Sequence, residues 1–198
     1  KGPDAGRFVD MLYTNLMSSL PVGKCRYGLM CSENGFLIDD GVAARLSEDA
    51  WLCHTTTGGA ESIHGHMEEW LQTEWWDWKV YVANVTEQYA QIGVAGPNSR
   101  KVLEKLTDQD VSNEAFRFMD SRQMDVQGSP CIVSRISYTG DLGYEIWCEP
   151  AYTRKLYRDI KEAGAEFGIR DFGMRALLSM RLEKNFPTWG HELRPIYG

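Results

Sequence analysis

Asp39 and Asp40 are adjacent carboxylates that close an apolar strand-like run, Phe36-Leu37-Ile38. Consecutive strand residues point to opposite faces, so only one of the pair can reach a given pocket. Such a carboxylate is either satisfied by backbone N–H groups at a turn or held for a ligand or a proton. Glu145 lies between Tyr144 and Ile146 inside another apolar run. It is either the polar face of a one-sided sheet or a bidentate acceptor for a ligand with adjacent N–H donors. Arg175 and Glu183 lie two helical turns apart, and Arg181 falls near a helix C-terminus, where a cation is favoured. A solvated salt-bridge face accounts for these charges equally well. His54, His64, His66 and His191 form no His-Glu-x-x-His pattern, and His64 and His66 read as surface residues. Cys25, Cys31, Cys53, Cys131 and Cys148 match no metal-ligand spacing and read as buried free thiols of a reducing compartment. No nucleophile elbow, phosphate loop or dinucleotide fingerprint is present.

The elements that must position these groups follow from periodicity. Phe8, Met11 and Leu12 predict a helix over 4–13. Strands are expected over 24–31 and 36–46, joined through Asn34-Gly35, a pair that supplies the positive φ angles of a tight turn. A third strand over 50–55 completes a meander. Ile63, Met67, Trp70 and Leu71 predict a helix over 60–73. Strands are expected over 79–84 and 88–95, then a helix over 99–106, strands over 128–137 and 144–148, and helices over 151–163 and 173–184. Residues 138–143 form a loop with two glycines. Pro187, Gly190 and Pro195 make the tail irregular. Gly2-Pro3 and Gly96-Pro97 each open a short helix that a hairpin follows, a weak internal repeat that points to two related α+β halves.

The 198 residues suffice for one sizeable core or two small ones. Hydrophobic residues are 43%, charged residues 25% and aromatics 12%, which excludes a disordered chain. The net charge of −7 excludes a generic nucleic-acid binder, and no apolar run reaches the roughly 20 residues that span a bilayer. The chain opens on Lys1 and lacks a closing element after Gly198, so it reads as part of something larger.

The same residues carry a resemblance. Gly23-Lys24-Cys25-Arg26-Tyr27-Gly28, Glu33-Asn34-Gly35 with Asp39-Asp40, and His54-Thr55-Thr56-Thr57-Gly58-Gly59 come first. Glu69-Trp70-Leu71-Gln72-Thr73-Glu74-Trp75, Val94-Ala95-Gly96-Pro97, Ser137 to Glu145 and Ser179-Met180-Arg181-Leu182-Glu183-Lys184 follow in order. Together they resemble the folate-binding aminomethyltransferase family typified by the glycine cleavage T-protein. Within it they look most like the C-terminal folate domain of sarcosine oxidase alpha subunits and of dimethylglycine and sarcosine dehydrogenases.

The resemblance implies an α+β fold of two related antiparallel-sheet-plus-helix subdomains, lacking the family's C-terminal barrel. The first is expected over about 1–55 plus 135–198, the second over about 56–134. It implies that Asp40 is the active-site aspartate and Tyr27 its neighbour on the paired strand. Glu145 corresponds to the glutamate that hydrogen-bonds the pterin ring of tetrahydrofolate, Tyr138 to the loop tyrosine near the folate, and Arg175 to an arginine of the following helix. Arg175 and Arg181 are the first candidates for meeting an anionic folate tail.

The implied activity is capture of a methylene group from an amine-derived imine as 5,10-methylenetetrahydrofolate. The imine would come from sarcosine- or dimethylglycine-type oxidation at a flavin site outside this chain, with FAD as the first expected cofactor of the parent enzyme and NAD as the second. The implied partners are the small amine, folate and a flavin-containing domain or subunit, with no nucleic acid or membrane, in a bacterial cytoplasm. Aminomethyl transfer from a lipoyl carrier, folate-dependent demethylation, a non-catalytic folate-binding module and a structural scaffold are the alternatives.

Overall fold

A computed structural model describes residues 1–194; Pro195, read above as part of the irregular tail, lies outside the described residues. The chain forms two compact units, Lys1–Thr86 with the described residues from Thr188 onward, and Glu87–Pro187.

In the first unit α1 (Ala5–Leu12) buries Phe8, Val9 and Leu12 along one face. β1 (Cys25–Cys31), β2 (Leu37–Ser47) and β3 (Ala50–Cys53) form an antiparallel meander in the order β1-β2-β3. The expected Asn34-Gly35 turn joins the first two, with Gly35 at φ 82° and its N–H donating to the Ser32 carbonyl. α2 (Ala60–Thr73) lays Ile63 and Met67 on the same core, which includes Met17, Met30 and Ala43. Beyond α2 the chain turns back through a stack of indoles. Trp70 and Trp75 lie 5.3 Å apart, Trp75 and Trp78 4.9 Å apart, and the Arg7 guanidinium covers Trp78 at 3.9 Å. Three of the seven tryptophans are therefore spent on holding this turn.

The strand expected over 79–84 is absent. Its backbone meets irregular chain instead: the Tyr81 N–H donates to the Lys1 carbonyl at 2.7 Å, and the Lys79 N–H to the Asp4 carboxylate at 2.8 Å. Extended residues without a regular partner make no ladder.

In the second unit β4 (Ala90–Ala95), β5 (Ser121–Val126), β6 (Ser129–Ser134) and β7 (Gly143–Cys148) form one antiparallel sheet in the order β4-β7-β6-β5. This sheet joins strands from both sides of the boundary expected near 134. Strand β5 has no counterpart in the sequence reading, because Ser121, Arg122, Gln123 and Asp125 mask its buried Met124 and Val126. Its hairpin to β6 turns on Gln127-Gly128, at φ 51° and 75°.

α3 (Ser99–Glu104), α4 (Pro150–Gly164) and α5 (Met174–Glu183) complete the unit. Val102, Leu103, Leu156 and Ile160 pack on the sheet face formed by Val94, Val133, Tyr144 and Ile146. The expected repeat is visible: Gly2 and Gly96 have φ 131° and 118°, and their carbonyls accept from Ala5 and Ser99 at 2.9 and 3.0 Å. Among the described residues no helix is long and apolar enough to cross a membrane.

Candidate functional site

The β1–β2 ladder sorts the two aspartates. Met30 pairs with Asp39 and Leu29 with Asp40, so alternation sends Asp39 to the core face with Met30 and Asp40 to the face of Tyr27, Leu29 and Val42. Asp39 is only 2% exposed and fully employed. Its carboxylate accepts from the Asp40 N–H at 2.8 Å, the Thr56 hydroxyl at 2.7 Å and the Thr56 N–H at 3.1 Å. The turn-capping reading therefore belongs to Asp39, which ties β2 to the Thr55-Thr56-Thr57 segment.

Asp40 is left for other work. Tyr27, opposite Val42 and thus diagonal to Asp40, donates its hydroxyl to Asp40 Oδ2 at 2.5 Å, a short charge-assisted bond. Burial raises the Asp40 carboxyl above its ordinary range; the Tyr27 bond pulls it down, and the Asp39 charge pushes it up. Gly28 and Gly41 face each other in register beside this pair. A methyl group on Gly41 would run into the His54 backbone carbonyl, so the strand beside Asp40 is packed too closely there for a side chain, whereas one on Gly28 would have to displace the side chains of Met17 and Tyr13. His54 itself is held neutral by burial, which lowers its imidazole to about 4.

In the second unit Tyr144, Ile146 and Cys148 point into the core. Glu145 faces the other side of β7, between Gly93 of β4 and Ser134 of β6. Burial pushes its carboxyl up to about 7, against a hydrogen bond from Gln91 that lowers it. A half-desolvated carboxylate with spare acceptor capacity suits paired N–H donors from a ligand, since such donors repay the lost hydration.

Tyr138 and the two arginines are placed differently. The Tyr138 hydroxyl donates to the Pro187 carbonyl at 3.2 Å and its ring stacks on Phe186, centroids 6.4 Å apart. It therefore fastens the 138–143 loop to the chain beyond α5. Arg175 is exposed on the first turn of α5. Arg181, expected on a solvated helix end, is 6% exposed and donates to the Phe186 carbonyl at 2.9 Å, so it serves packing and is withdrawn as a partner for an anionic tail.

The structure thus joins Tyr27 to Asp40 within one unit and sets Glu145, Tyr138 and Arg175 in the other. Thr56 and Gln91, which hold Asp39 and Glu145, escape sequence reasoning: a threonine in a Thr run and an exposed strand glutamine carry no signal until pairing is known. All five cysteines are free; Cys25, Cys131 and Cys148 are buried, and burial pushes Cys131 up to about 12.

Comparison with known proteins gives the chain's relatives. The sarcosine oxidase subunit alpha of Corynebacterium sp. (strain P-1) is 44% identical over 194 residues, covering 97% of this chain and 20% of that protein. An aminomethyltransferase of Alkaliphilus metalliredigens (strain QYMF) is 32% identical over 193 residues, covering 98% of this chain and 51% of that one. The chain therefore spans between a fifth and a half of these relatives. The crystal structure of glycine cleavage system aminomethyltransferase T from Bartonella henselae superposes with a TM-score of 0.84 at 22% identity, over 98% of this chain and 50% of that one, which shows the shared fold. Residues 1–197 match the family described as the GCVT N-terminal domain, and the chain belongs to that family.

Proposed function

We propose that this domain binds tetrahydrofolate and captures a methylene group, delivered as an amine-derived imine, as 5,10-methylenetetrahydrofolate. The observation that carries this reading is the Tyr27–Asp40 pair: a carboxylate the fold does not need for capping, oriented by a phenol on the neighbouring strand.

Tetrahydrofolate supplies the amine nitrogens that accept the one-carbon unit. Its pterin edge of N–H donors fits Glu145, whose carboxylate lies partly desolvated. Asp40 stabilises the positive charge of an iminium carbon, accepts the proton released as a folate nitrogen bonds to it, and returns that proton to the substrate nitrogen, which leaves as the free amine when its bond to the carbon breaks and the second folate nitrogen takes its place. Tyr27 favours the ionised form of Asp40 against the effect of burial, and aims it. Arg175, exposed on α5, is the cation left to meet an anionic tail. In the full-length protein a flavin-containing domain or subunit would oxidise the amine, as the similarity to a sarcosine oxidase subunit supports. The similarity to an aminomethyltransferase favours a second reading, in which the same residues act on an aminomethyl group borne by a carrier.

Asp40→Asn in the full-length protein tests the first reading. The variant should oxidise sarcosine or dimethylglycine at the normal rate and release formaldehyde in place of methylenetetrahydrofolate. An unchanged yield of methylenetetrahydrofolate would remove Asp40 from the chemistry.

A further inference from the structure

Glu145 stands on an inner strand with neighbours of unequal kind. On its face β4 presents Gln91, Gly93 and Ala95 in turn, with Gly93 directly opposite Glu145. Gly93 is exposed, and its φ lies outside the left-handed region. A methyl group on Gly93 would meet no atom within 4 Å. Neither backbone conformation nor packing therefore demands glycine here, and glycine is a poor strand former. Gly143, two pairs along the same ladder, is a useful contrast: a side chain there would meet Ser137 Cβ at 2.6 Å, which explains that glycine structurally.

The effect of Gly93 is on its surroundings. Directly opposed side chains on adjacent strands have Cβ atoms roughly 5 Å apart. Any branched side chain at this position would therefore stand against Glu145. Its absence, followed by the small Ala95, leaves a bare strip of backbone beside a carboxylate that Gln91 holds by a hydrogen bond.

We infer that Gly93 is a specificity-determining position: it lets a planar heterocycle lie flat on β4 and present adjacent N–H donors edge-on to Glu145. This rests on the reading of the domain as a tetrahydrofolate site and names the residue that shapes it.

The test is calorimetric titration of the full-length protein with tetrahydrofolate, for the parent sequence, Gly93→Ala and Gly93→Val, with Tm measured on each. Gly93→Val should weaken binding on the order of 10–100-fold, Gly93→Ala less, with Tm unchanged or raised. Binding by Gly93→Val at parental strength overturns this inference and leaves the folate reading standing. A parent protein that does not bind tetrahydrofolate overturns the folate reading and this inference with it. A lower Tm for Gly93→Val shows that the glycine is structural, and also overturns the inference.

Discussion

Replacing Glu145 by Gln removes a carboxylate that the fold holds under strain. Burial lifts this group from 4.5 to about 7. In the unfolded chain it titrates near its ordinary value. Between those values the folded state binds more protons than the unfolded state, so stability falls as pH rises through this window. A gap of about 2.5 pH units at about 1.4 kcal/mol each sets an upper bound between about 3 and 4 kcal/mol, and residual solvent contact brings it to about 2–3 kcal/mol. Glutamine does not ionise and keeps the shape. Glu145→Gln should match the parent at pH 4.5 and exceed it by about 2–3 kcal/mol at pH 8. Urea unfolding followed by tryptophan fluorescence and circular dichroism at several pH values measures this, and the difference between the two proteins cancels every other titrating group. Parallel stability curves, or a variant less stable at pH 8, would refute the reasoning. The same variant should lose tetrahydrofolate affinity on the order of 10–100-fold, because an amide cannot accept two N–H donors as a carboxylate does.

Four further outcomes concern Tyr27, His54, Gly41 and Gly65. Tyr27→Phe removes the bond that lowers the Asp40 carboxyl, so the acid limb of methylene capture in the full-length protein should move to higher pH; an unmoved pH profile would detach Tyr27 from Asp40. His54 should titrate near 4 by NMR. Its folded value lies below its unfolded one, so its contribution is present above about 6.5 and lost as pH falls through 4, by about 2–3 kcal/mol; a His54 titration near 6.5 contradicts its burial. Gly41→Ala should cost about 1–3 kcal/mol and abolish capture, since its methyl meets the His54 carbonyl. The exposed helical Gly65→Ala should stabilise by up to about 1 kcal/mol, and equal thermal shifts for the two would contradict the packing argument.

The strongly periodic elements were legible in the sequence. The helix expected over 60–73 is α2 as observed, because Ile63 and Met67 must find a core and the 3.6 period says how. Asn34-Gly35 forecast its turn for an equally local reason. The strand over 79–84 failed and β5 was missed because both depend on what lies alongside: a ladder needs a partner, and a mixed polar strand shows its buried side only when paired.

The candidate site divides in the same way. Residue types, order and spacing carried the resemblance that places the chain in its family and that implied Asp40 with Tyr27, and they marked an odd carboxylate at Glu145. Strand alternation alone left Asp39 and Asp40 indistinguishable, and Tyr138 and Arg181 were open to a ligand. Only the tertiary structure decided these, through strand register. Register sends Asp39 to Thr56 and the core, and Asp40 to Tyr27. It also sets Glu145 between a glycine and a serine. Packing beyond α5 employs Arg181 and Tyr138. Local propensity acts over a few neighbours and can be read along the chain. Whether a polar group is free or satisfied depends on residues brought across a ladder from tens of positions away, and folding alone supplies those.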